Sequence, residues 1–212
     1  GSILTAIGVA FWIAVGVFDV SFGGKTEVPS IAIIPFDNKG ADEDEFYAYS
    51  ISSELISDVT SAGLIRVASI KDIEKLEYKT LDNSELSEKL LVRYIAQGTL
   101  WKVDSVFQLS MELYDTKSSK VLSSESWQKE WNELASIKGN LADNILKTLK
   151  VSTKQDIAKA PTSSTEAYEY YLKGKYKYEK RENMEDIVIA QGLVKKAIKM
   201  DDNLLIAKNV LA

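Results

Sequence analysis

The chain has 212 residues, 45% of them apolar and 27% charged, enough for one packed domain of ordinary size with material left over at its ends. It contains no His and no Cys, which excludes Ser-His-Asp triads, Cys-His pairs, disulfides and nearly every zinc site. A net charge of −5 with no run of Lys or Arg argues against nucleic acid as a partner, while carboxylate-only catalysis, oxygen-ligated cations and Lys chemistry survive.

The opening Gly1-Ser2, without a Met, reads as an internal cut or a tag remnant. Residues 3–22 (ILTAIGVAFWIAVGVFDVSF) carry one charge, Asp19, and are long enough as a helix to cross about 30 Å of bilayer core. No polar residue alternates along them to mark a solvent face, so a single membrane span is expected ahead of a buried core helix. Ala6, Ala10 and Ala14 form a small-residue stripe that would let two spans approach, which makes a homodimer one expected assembly. Such stripes are also common by chance.

Beyond Gly23-Gly24 the pattern becomes α/β. Residues 30–36 (SIAIIPF) read as a buried strand and 37–45 as an acidic loop. A helix is expected over 46–62, with Ala48, Ile51, Leu55 and Val59 on one face and Gly63 as its left-handed cap. Residues 64–70 alternate as a second strand, 71–76 suit a short helix, and Asp82 with Glu85 resembles a capping box for a helix to about residue 91. A third strand is expected over 94–103, interrupted by Gly98. In the fourth, Phe107, Leu109, Met111 and Leu113 point one way and Gln108, Ser110 and Glu112 the other, which describes a strand with one wet face. Residues 121–128 make a more polar strand near a sheet edge. Asn132 is then expected to cap a helix carrying Leu134, Ile137, Leu141, Ile145 and Leu149. Residues 151–164 read as a linker, and 165–181, 186–200 and 203 onward as helices.

The stretches SIAIIPFDNKGADEDEFYAYSISSELISDV, VRYIAQGTLWKVDSVFQLSMELYDTKSSKVL and ELASIKGNLADNILKTL resemble, in that order, the TolB amino-terminal-like (FlgO-like) domain. Tyr49-Ser50 and Ser118-Ser119 depart from its usual Asp-Gly and turn Gly. The resemblance implies an α/β (α+β) fold with a mixed sheet of about five strands in the order β-α-β-α-β-β-β-α. That fold would be preceded by the membrane helix (3–22), would occupy 28–150, and would be followed by the linker and a helical hairpin (165–212). The tail resembles a tetratricopeptide repeat, with Ala190, Val194 and Ala197 at the spacing of its second helix and Gly174 and Tyr178 in its first. A lone repeat leaves one apolar face without a neighbour, so residues 203–212 are expected to be poorly ordered, or ordered only by packing on another copy; a tail that folds back onto the α/β domain is the alternative. Proteins of this arrangement often carry, before the span, a class III nucleotide cyclase or a winged-helix domain.

The acidic loop lacks the spacing of an EF-hand and reads as a solvated helix N-terminus. Its position after the first strand, where open α/β sheets place ligands, makes Asp37, Asn38 and Ser53 the candidate ligand contacts. Glu54 matches an acidic family position and is expected in an exposed salt bridge on the helix face. Trp101, Trp127 and Trp131 are expected to pack at the sheet and the start of the last domain helix. No catalytic residue, metal ligand or cofactor is expected. The expected function is a non-catalytic sensing or protein-interaction module, extracytoplasmic (periplasmic) and tethered by residues 3–22. A cell-envelope assembly or scaffold role, and a regulatory part of a nucleotide cyclase, are the alternatives. The partner is expected to be protein, met through the α/β domain or the helical repeat, and not nucleic acid.

Overall fold

The computed structural model describes residues 28–152 and 160–211. The expected membrane span lies outside them, and no helix among the described residues is long and apolar enough to cross a membrane. Six strands form one mixed sheet. β1 (Ser30–Ile33) is parallel to β3 (Arg66–Val67) on one side and to β4 (Tyr94–Val103) on the other. β4 continues antiparallel into β5 (Val106–Asp115) and β5 into β6 (Lys120–Glu130), giving the order β3-β1-β4-β5-β6.

The expected first strand is shorter, and a two-residue β2 (Asp37–Asn38) resumes the pairing with β4 after it. Pro35 lies in the gap and has no N–H to give. The next amide, Phe36 N, donates instead to Ser52 Oγ at 2.9 Å. β3 is also shorter than expected: Ala68 N still reaches Ile31 O, but Ser69 then caps α2 (Ile70–Glu74) and ends the strand. Gly98 does not interrupt β4. A Cβ there would stand 2.0 Å from Ser110 O, so the glycine permits a close approach of β5.

Helix α1 (Glu45–Ser61) follows a short 3₁₀ turn at Asp42–Asp44, and Gly63, at φ 75°, closes the chain after it. The capping box of α3 (Asn83–Leu90) is present as expected: Asp82 accepts from Ser84 N and Glu85 N, and Glu85 accepts from Asp82 N. The alternation in β5 holds residue by residue, with Phe107, Leu109, Met111 and Leu113 buried. Among the described residues β6 pairs only with β5 and is an edge strand, three residues longer than the expected 121–128. The cap of α4 (Leu134–Thr148) differs from expectation. Asn132 sits inside a 3₁₀ turn, Trp131–Glu133, whose capping box is made by Glu130 and Glu133. α1 and α4 cover one face of the sheet, burying Ile51, Leu55, Leu134, Ile137, Leu141 and Ile145 with the inward residues of β4 and β5.

The tail is helical: α5 (Thr165–Glu179), α6 (Met184–Met200) and α7 (Leu205–Leu211). α5 and α6 cross closely at Gly174, where a Cβ would meet Val194 Cγ2 at 2.6 Å. The last helix is held within this same chain, with Leu204 and Ala207 fully buried. α5 does not stand apart from the α/β unit but packs along α1 and α4.

Candidate functional site

Two features of the molecule have the character of sites. The first is the seam between α1 and α5. Glu54 lies on α1 one position before the core residue Leu55, and only 4% of it is exposed. Its Oε1 accepts from the Tyr171 hydroxyl at 2.6 Å and faces Lys175 Nζ at 3.0 Å; its Oε2 faces Lys138 Nζ at 3.4 Å. Lys138, on α4, also holds Asp58 at 2.9 Å, and Lys175 holds Glu179 at 3.3 Å. Ser53 Oγ donates to Glu179 Oε1 and Ser50 Oγ to Leu172 O, both at 3.0 Å. Helices α1, α4 and α5 are thus joined through three carboxylates and two ammonium groups.

Burial pushes the Glu54 carboxyl up, but Lys175, Lys138 and the Tyr171 hydroxyl outweigh it and hold it below the usual range. Burial would lower Lys175, and Glu54 with Glu179 raises it instead. For Asp58, burial prevails over Lys138 and the carboxyl is raised. Glu54 therefore stays ionised near neutral pH with both oxygens engaged. Its salt bridges are buried between helices, not exposed on a helix face as expected. Removing one partner of such a group leaves the others uncompensated, at a cost of about 3–5 kcal/mol.

The second feature is the opposite face of the sheet. α3 covers it beside β1 with Leu86 and Leu90, but Gln97, Thr99 and Trp101 of β4 and Gln108, Ser110 and Glu112 of β5 lie beyond that cover. A groove of about 590 Å³ runs there over Gln97, Thr99, Ser110, Ser124 and Ser126, walled by Tyr78 and Leu81 and rimmed by Asp37 and Lys79. The Thr99 and Ser110 hydroxyls bond each other across the strands at 2.8 Å. Trp101, 45% exposed, stands at the other end of this face, where packing at the sheet was expected. Trp131 does pack, its Nε1 donating to Glu169 Oε2 at 3.0 Å, and Trp127 lies partly buried beside α4.

Of the three candidate ligand contacts, Asp37 is half-exposed at the groove rim, 3.5 Å from Lys39. Asn38 is next to it but turned into its own loop, with Nδ2 donating to Ala41 O at 2.6 Å and Oδ1 accepting from Gly40 N at 3.0 Å. Ser53 belongs to the other feature, facing α5. Asp37 and Asn38 are neighbours in the chain, and the fold separates Ser53 from them. Among the described residues, no group of three His, Cys, Asp or Glu side chains could hold a metal ion. Sequence reasoning passed over Lys138 and Lys175. Lys138 left a trace: it occupies a position on the apolar stripe of α4, four residues after Leu134 and three before Leu141.

Residues 26–148 match the family described as HilA/YgeH-like transcriptional regulator, second domain. A curated protein called putative adenylate cyclase 3, from Rhizobium meliloti (strain 1021), is 23% identical over 124 residues. That match covers 58% of this chain and 21% of the relative, so the chain spans about a fifth of the length of that relative. Among solved structures, TolB from Acinetobacter baumannii matches over 58% of this chain and 28% of its own, at 18% identity and a TM-score of 0.44. A lipoprotein from Neisseria meningitidis matches over 58% of this chain and 97% of its own, at 14% identity and 0.41. The LpoB C-terminal domain from Escherichia coli matches over 50% and 86%, at 11% identity and 0.40.

Proposed function

We propose, from the premise that this chain belongs to the HilA/YgeH-like transcriptional regulator second-domain family, that it is a non-catalytic regulatory module acting through contacts with protein. One observation carries this reading. Residues 26–148 match a family of transcriptional regulators, and a stretch of 124 residues of the same chain matches a protein named as an adenylate cyclase. Gene regulation and nucleotide cyclisation share no chemistry, so what the two have in common is better understood as input than as output. The buried Glu54 network supports this, since its charges are engaged in joining helices and leave no free group for a reaction.

In this reading residues 3–22 anchor the module in a membrane, residues 28–211 lie on the extracytoplasmic side, and an output domain stands before the span. The helical tail would act as a tetratricopeptide-like hairpin presenting a surface to a protein partner. Asp37 would meet a ligand entering the sheet groove, with Asn38 shaping the loop beside it, while Ser53 would report whether α5 is docked. A transcriptional regulator handles nucleic acid somewhere in its length, so the exclusion of nucleic acid is proposed for this module alone. The reading of the chain as the regulatory part of a nucleotide cyclase differs only in the output domain. A cell-envelope scaffold that transmits nothing is the reading from another class.

Deleting residues 28–211 from the full-length protein, with the membrane segment retained, tests it. Cyclic-nucleotide level and transcript profile are measured with and without the module while growth conditions are varied. Output that no longer responds to conditions supports a regulatory module. Unchanged, still responsive output overturns it, and an accompanying envelope defect would favour the scaffold.

A further inference from the structure

β6 is an eleven-residue edge strand, against a two-residue β3 at the other edge of the sheet. The Trp131 amide donates to Ser105 O at 2.6 Å, across the β5–β6 hairpin. Alternation along an antiparallel ladder then turns the main-chain groups of Lys129, Trp127 and Glu125 toward β5, and those of Glu130, Gln128, Ser126 and Ser124 outward. The four outward residues are all exposed. Such a row of donors and acceptors is a template for another strand. The irregularity in β6 lies opposite Leu113/Tyr114, near its start, so the 124–130 stretch is regular.

We propose that β6 pairs antiparallel with β6 of a second copy of this chain, about a twofold axis through Trp127, joining the two sheets into one. Charge selects the occupant and the register. With Trp127 opposite Trp127 of the partner copy, each Glu125 lies opposite a Lys129, which also holds Glu133 of its own chain at 2.8 Å, and no like charges are opposed between residues 124 and 130. A register centred on Glu125 opposes two carboxylates, and one centred on Lys129 opposes two ammonium groups. Centring on Ser126 or Gln128 leaves both charges without an opposite partner. The same register sets outward residue against outward residue, Ser126 to Gln128 and Ser124 to Glu130, for about eight main-chain hydrogen bonds. Glu125, Trp127 and Lys129 then fall at the non-hydrogen-bonded positions, where facing Cα atoms are closest, about 4.5 Å apart.

The absence of Cys from the chain makes the test clean. Chains of residues 1–212 in detergent micelles carry either Glu125→Cys or Lys129→Cys, and are oxidised separately and as a mixture. The mixture is expected to form a disulfide-linked dimer, since about 4.5 Å suits a disulfide, whereas identical cysteines would stand four residues apart, about 13 Å. Adding Ser126→Pro to both variants removes an outward amide and is expected to cut the cross-linked fraction at least tenfold. Its melting temperature should stay near that of the parent, because a proline is tolerated where the N–H faces away from the sheet. No cross-link in the mixture overturns the proposal, as does equal cross-linking of either variant alone or a cross-link that survives Ser126→Pro. A dimer formed through the apolar segment 3–22 alone would give one of those results.

Discussion

Tyr171 donates its hydroxyl to Glu54 Oε1 at 2.6 Å from a helix 117 residues further along the chain. Both groups are buried, and through them the helical tail and the α/β unit share one polar network. The tail is therefore docked by specific chemistry in addition to apolar packing.

Replacing Glu54 with Ala is expected to cost about 3–5 kcal/mol, because Lys138 and Lys175 lose their shared carboxylate in a buried setting. Chemical denaturation of the two proteins measures the loss. Hydrogen exchange should quicken first in α5, where Tyr171 and Lys175 reside. A loss below about 1 kcal/mol, the level of a surface pair, would show that the network does not hold the tail.

The same carboxylate gives a pH dependence. The folded Glu54 titrates below its unfolded value of about 4.3, so the native state binds fewer protons than the unfolded state in that range. Its stabilisation is complete above about pH 5 and is lost as pH falls through the folded pKa. Asp115 adds to this lower down: hydrogen bonds from Arg93, then Ser118 and Lys117 N, hold it at about 2. The stability difference between the native chain and Glu54→Gln, measured from pH 7 to pH 3, should therefore narrow only below about pH 5. A difference that is constant across that range would contradict the assignment.

Leu109→Asp is expected to unfold the domain, while Gln108→Asp leaves it folded. Leu109 is buried under α4 and Gln108 stands on the wet face, so adjacent residues meet opposite environments. An uncompensated buried carboxylate costs several kcal/mol, comparable to the whole stability of a domain. Thermal melting of both variants decides it, and equal melting temperatures would refute the register.

Gly174→Ala should loosen the α5/α6 hairpin, since its Cβ would stand 2.6 Å from Val194 Cγ2. A cost of about 1–3 kcal/mol is expected from overpacking. Adding Val194→Ala removes the clashing methyl groups, so the double variant should regain part of the loss. A double-mutant cycle with no coupling would remove the close approach as the reason for glycine.

Local signals in the sequence determined a good deal of this protein. The two-residue alternation of β5, the capping box at Asp82 and Glu85 and the left-handed Gly63 depend on neighbours within a few residues, the polarity of β6 marks it as an edge strand, and all are present in the structure. The lengths of β1 and β3 were less legible, because a strand ends where its partner or a capping side chain ends it: Pro35 breaks the first and Ser69 closes the second. Only the tertiary structure decided the character of α1. Its Ala48, Ile51, Leu55 and Val59 stripe announces one buried face, yet the helix is covered on nearly every side. Glu54 reads as an exposed helix-face residue and Ser53 as a ligand contact until α5 comes to lie on them and supplies Tyr171, Lys175 and Glu179. Periodicity reports the contrast between apolar and polar residues along one helix. It carries no trace of a second interface that is itself polar, because there burial is made tolerable by partners more than a hundred residues away.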